Sequence, residues 1–150
     1  MPLMTGWLDD PVWAVRETSV DALKRLIRQF GTVLANSLIV PAFFSLSKHR
    51  NYLRRITFLY ALSATCSVVS VDTLRSQYLP ILNSLAADPI ANVRLNVAKT
   101  LQTMVPVLLT SELKDSLAQV IIPILQGLQR DADVDVHDFA TRALNMVPAF

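Results

Sequence analysis

Apolar side chains recur at helical spacing along most of the chain. Leu74, Tyr78, Leu79, Leu82 and Leu85 form one stripe, and Val93, Val97, Leu101 and Met104, with Val105 beside them, form another. Steps of three and four residues place such positions on one face of a helix. No segment combines alternating polarity with flanking hairpin turns, so almost no strand is expected. The pattern predicts helices over about 2–9, 11–30, 33–47, 51–69, 72–87, 89–107, 111–130 and 133–147. Asp88 is suited to an N-cap and Pro89 to the first helical position, where its missing N–H costs nothing. Asp10 and Pro11 repeat that signal.

The start signals also recur at long range. Asp10-Pro11-Val12-Trp13-Ala14-Val15-Arg16 is echoed by Asp88-Pro89-Ile90-Ala91-Asn92-Val93-Arg94. Lys48-His49-Arg50-Asn51-Tyr52-Leu53-Arg54 lies between them, and Asp131-Ala132-Asp133-Val134-Asp135-Val136-His137 follows. The anchors Arg16, Arg54, Arg94 and His137 are 38, 40 and 43 residues apart. Pro2, Pro41, Pro80 and Pro123 precede those anchors by 14, 13, 14 and 14 residues. Two independent markers therefore run in phase through four units, over about 1–31, 32–70, 71–109 and 110–150. A period near 40 with two helices per unit is the signature of HEAT or armadillo arrays, and two helices favour HEAT. The expected fold is an all-α superhelix, a HEAT-repeat solenoid of about four helix pairs forming one array. No unit can bury its apolar face alone, so stacking must build the core. Leu3, Met4, Trp7 and Leu8 give the first helix an apolar face without a polar outer cap, so a longer array is expected.

Composition removes other classes. Hydrophobic residues make up 52%, but the uncharged stretch Ile56–Val71 contains Ser63, Thr65, Ser67 and Ser70. It is shorter than the roughly 20 apolar residues of a spanning helix. A buried helix explains it, and no membrane partner is expected. The opening ten residues have no basic n-region and include Asp9 and Asp10, unlike a secretory signal. One cysteine, Cys66, cannot make an internal disulfide and suits a reducing compartment, the cytoplasm or the nucleus. Net charge is +2, but residues 41–79 carry +4 and residues 119–150 carry −2.

Candidate chemistry is sparse. Asp131, Asp133 and Asp135 resemble the opening of a calcium loop, but the sixth position is Val136 where Gly is needed, and the twelfth is Arg142 where Glu is needed. His49 and His137 have no ligand-spaced companion, so neither metal nor other cofactor is expected. Nothing supports a catalytic triad. Nucleic-acid binding has only the basic cluster of unit two in its favour and no motif. The recurring acid and base, Asp10 with Arg16 and Asp88 with Arg94, allow two readings. They stitch neighbouring repeats together, or they contact a partner at the turns. Trp7, Trp13 and Tyr52 at the turns of units one and two are equally open: they fold back onto the core, or they anchor an interface.

The segments Trp7–Glu17, Asn51–Arg55, Asp88–Lys99 and Asp133–Val136 resemble the last four repeats of the scaffold (A) subunit family of protein phosphatase 2A. The resemblance covers essentially the whole chain, and the third segment is its most specific part. It implies a non-enzymatic, horseshoe-shaped scaffold whose intra-repeat turns grip the phosphatase catalytic subunit. Regulatory B-type subunits of that family bind mainly N-terminal repeats that this chain does not contain. Carried over by segment, the protein-binding residues are Trp7, Asp10, Val12, Trp13 and Arg16, then Asn51, Tyr52 and Arg54, then Pro89, Ile90, Asn92 and Arg94. One departure stands out: the family usually has Asp-Pro before the Asn-Tyr-Leu of unit two, and here it is His49-Arg50. The alternative function is a HEAT adaptor of another class, transport-receptor-like or phosphatase-regulatory, holding a protein or peptide on its concave face.

Overall fold

The computed structural model describes residues 6–110 and 117–148, with Glu112 and Asp115. The start of the expected helix 2–9, with Leu3 and Met4, and most of 111–116 lie outside the described residues. The chain forms two compact units, Met1–Ser70 and Val71–Phe150. No strand occurs among the described residues.

In the first unit, α1 (Trp13–Leu34) and α2 (Val40–Ser47) both pack on α3 (Tyr52–Thr65). Gly31 breaks α1 with φ 81° and ψ −177°, a conformation open in practice only to glycine. Leu8, Val20, Leu23, Ile27, Ile39, Phe43, Phe58, Leu59 and Leu62 are buried. Each such side chain contributes about 1.5–3 kcal/mol of hydrophobic stabilisation. In the second unit, α4 (Val71–Thr73) and α5 (Leu79–Leu85) precede α6 (Ala91–Leu109), and α7 (Ile122–Leu128) precedes α8 (Val134–Asn145). Helix α6 packs most extensively along α8. Tyr78, Leu82, Val97, Leu101, Met104, Leu125, Val136 and Ala140 are buried there. Among the described residues no helix is long and apolar enough to cross a membrane.

The helices expected at 33–47, 72–87 and 111–130 are not regular. Each contains a wide π-helical turn, Ala35–Ile39, Leu74–Tyr78 and Leu117–Ile121, two residues before Pro41, Pro80 and Pro123 respectively. A proline ring collides with the carbonyl four residues back. Those carbonyls belong to Ser37, Ser76 and Gln119, each inside its wide turn. Ser37 and Ser76 also donate their hydroxyls to the carbonyls of Val33 and Asp72, at 2.8 and 2.6 Å, which favours bending. The proline marker therefore records a kink repeated three times.

Candidate protein-binding turns

Asp10 and Asp88 do not cap the helices as expected. Each carboxylate accepts the N–H two residues on, from Val12 at 2.8 Å and from Ile90 at 2.9 Å. The N-caps are Val12 and Ile90, in extended conformation and without a side-chain cap. The other two turns keep the same plan. Asn51 donates its N–H to His49 Nδ1 at 3.0 Å, and Asp133 donates to Asp131 Oδ1 at 3.0 Å. In these turns Asn51 and Asp133 cap with their own side chains. Asp131 and Asp133 of the calcium-like run are thus occupied by turn and cap hydrogen bonds.

An arginine six residues on closes three of these turns. Arg16 donates to the carbonyls of Asp10 and Pro11 at 2.6 and 3.0 Å. Arg94 donates to the carbonyl of Asp88 at 2.8 Å. In unit two the closing residue is Arg55, which reaches the carbonyls of His49 and Arg50 at 2.7 and 3.1 Å. The register read from sequence through Lys48 and Arg54 is therefore one residue off. His49 takes the aspartate's place and Arg55 takes the arginine's. In units one and three the base holds the main chain of its own unit's acid.

The remaining donors stitch repeats together. Arg16 Nε donates to Thr57 Oγ1 at 2.9 Å. Arg54 returns from the second repeat, with its guanidinium on the Asp10 carbonyl and on Asp9 Oδ1, both at 2.6 Å. In the second unit Arg94 grips Asp131 with two prongs, 2.6 and 2.9 Å long. That pair holds the Asp131 carboxyl below its ordinary range, and Asp131 in turn holds the Arg94 guanidinium above its own. Burial lowers Arg16, with Arg54 adding to the effect.

Apolar side chains remain on the outside of these turns. Trp7, Val12, Trp13, Tyr52 and Ile90 are exposed, as are Leu53 and Val134, which sequence reasoning passed over. Trp13 is 40% exposed, but it meets Tyr60 edge-on with ring centroids 5.5 Å apart, and Arg16 lies 5.2 Å from its centroid. Trp7 and Ala14, Val15, Thr18, Ser19 and Ala22 of α1 line an open, mainly apolar groove of about 340 Å³. Pro89 and Asn92 are exposed, and the Asn92 side-chain oxygen accepts from Asn96 at 3.1 Å. Arg16 is only 3% exposed, so its role lies inside the turn. Trp7, Asp10, Val12, Trp13, Arg16 and Arg54 belong to one turn of the first unit, with Asn51 and Tyr52 at the next. Pro89, Ile90, Asn92 and Arg94 belong to a turn of the second unit. Arg55 and Thr57 were the omissions. The even spacing of 39 residues from Arg16 to Arg55 to Arg94 was the signal for the first.

Paired helices, kinked first helices and arginine-closed turns define a helical-repeat protein of the HEAT class, and a HEAT-repeat family model matches residues 1–30. Within that class the chain is homologous to the regulatory A subunits of protein phosphatase 2A. It is 40% identical over 125 residues to the protein phosphatase PP2A regulatory A subunit of Saccharomyces cerevisiae, covering 81% of this chain and 20% of that protein. It is 39% identical over 74 residues to the Schizosaccharomyces pombe protein of the same name, 49% of this chain and 12% of that one. The Drosophila melanogaster PP2A 65 kDa regulatory subunit is 52% identical over 65 residues, 43% of this chain and 10% of that protein. The chain thus spans a fifth or less of the length of these relatives.

Proposed function

We propose that the chain is a non-catalytic scaffold segment that binds the catalytic subunit of protein phosphatase 2A through the tips of its intra-repeat turns. The supporting observation is the exposed apolar side chains, Val12, Trp13, Tyr52 and Ile90, borne on turns that arginines clamp by their main-chain carbonyls. A clamped tip loses little freedom on association, so its apolar area is used for binding rather than ordering. The homologues' names supply the partner. In this reading the repeats continue as one array, and B-type subunits engage other repeats of the whole protein. Its compartment is the cytoplasm or nucleus.

The test is affinity capture of purified phosphatase 2A catalytic subunit by this chain, wild type and with Tyr52→Ala and Ile90→Ala. Anchor truncation typically weakens an interface by about 2 kcal/mol or more. The expected outcome is weakened capture with an unchanged melting temperature. Undiminished capture by both folded variants would remove the turn tips from the interface and direct attention to the concave face.

A further inference from the structure

The positions five residues beyond Arg16, Arg55, Arg94 and His137 are Asp21, Tyr60, Lys99 and Arg142. The first unit places an acid and an aromatic there. Tyr60 is near Asp21 and Glu17, and those acids, after burial, push its hydroxyl pKa up. The second unit places two cations there. Lys99 Nζ lies 4.8 Å from the centroid of Phe139, and the Arg142 guanidinium lies 5.2 Å from the same centroid. Both cations are exposed, and Phe139 is half-buried between α6 and α8.

Among the described residues neither cation has a carboxylate partner. Asp138, next to Phe139, is engaged with His137 Nδ1 at 2.9 Å. Asp131 is held by Arg94, and Asp133 caps α8. A ring face attracts a cation by about 0.5–1 kcal/mol at exposed sites, enough to orient it but not to neutralise it. Two cations on one ring are within about 10 Å of each other, roughly one Debye length at 0.1 M salt, so their fields add. The pair stands apart from the turns, since Lys99 is nine residues beyond Ile90, about 13 Å along the helix.

We propose that Lys99, Phe139 and Arg142 form a docking point for an acidic segment of a partner polypeptide. Charge complementarity selects the occupant. In an extended chain, carboxylates at alternate positions lie about 7 Å apart, which suits two cations sharing one ring. Asp135 and Asp138 on the same helix disfavour a long polyphosphate track and favour a short run of Asp or Glu. This inference is independent of the turn-tip reading, because it uses other residues on other surfaces.

The experiment is fluorescence anisotropy of the whole chain with a labelled decapeptide of alternating Glu and Ser. A Gln/Ser decapeptide is the neutral control and an oligothymidylate the nucleic-acid control. The acidic peptide alone should bind. The double variant K99Q/R142Q should bind at least about tenfold more weakly with an unchanged melting temperature, while the charge-preserving K99R/R142K should retain binding. Absence of peptide binding, equal binding by folded K99Q/R142Q, or tighter binding of the oligothymidylate at these residues would each overturn the proposal. A lowered melting temperature with unaltered binding would reduce the trio to a staple between α6 and α8, and would overturn it too.

Discussion

Arg16 and Arg54, from successive repeats, donate to the same oxygen, the main-chain carbonyl of Asp10, each at 2.6 Å. Two guanidiniums so close repel, and the Asp9 carboxylate on Arg54 offsets that repulsion. Arg16 is buried and also bonded to Thr57. Arg16→Met keeps the stem and removes the donors to Thr57 Oγ1 and to the Pro11 carbonyl, while Arg54 still reaches the Asp10 carbonyl. It should cost about 1–3 kcal/mol in denaturant unfolding. Arg54→Met, at a more open position, should cost less.

The pair between Arg94 and Asp131 makes stability depend on pH. The folded state holds the Asp131 carboxyl below its ordinary range, so the unfolded chain takes up its proton first. The contribution is complete above the unfolded value, about 3.9, and disappears as pH falls through the lower folded value. Asp131→Asn should lower the melting temperature at pH 7, and the gap from wild type should narrow toward pH 3. A constant gap would show that the charge of Asp131 is not what stabilises.

Gly31 has φ 81°, and nothing lies within 4 Å of where a Cβ would stand. The penalty of Gly31→Ala is therefore conformational alone, about 1–3 kcal/mol. Thermal unfolding reads it directly. Little change would mean that the link between α1 and α2 readily adopts another path.

Leu101 is fully buried in α6. Leu101→Ala should cost about 2–5 kcal/mol by loss of packing and creation of a cavity. Trp13→Ala should behave differently. Its ring is partly packed on Tyr60 and Arg16, so about 1 kcal/mol of stability should go together with binding of the catalytic subunit. Urea titration and affinity measured on both variants separate a core residue from one that divides its area between core and interface.

The helix pairs and their period were legible because apolar stripes and Asp-Pro starts are local signals. The register of unit two was not, because Arg54 and Arg55 are adjacent and spacing alone cannot choose between them. The choice depends on which carbonyls each can reach: Arg55 finds its own turn, and Arg54 finds Asp10 of the repeat before. His49 was opaque for a similar reason. A ring nitrogen can accept the turn's N–H as a carboxylate does, but only geometry reveals the substitution. Trp13 could be assigned to the turn by position, while its half-packed state depends on Tyr60, 47 residues away.

Each wide turn before Pro41, Pro80 and Pro123 holds one residue more than a regular turn needs. Since a residue turns the helix by about 100°, the side chains beyond it come round one step late. In the third repeat this delay sets where Leu79, Leu82 and Leu85 point relative to Leu74. Removing a single residue from Leu74–Tyr78 would then restore a regular turn and leave that apolar edge facing its partners, whereas removing one from a regular turn would rotate the edge away. Length changes in these first helices are governed by angle more than by distance, and a one-residue deletion should be tolerated better inside a wide turn than in the regular turns beside it.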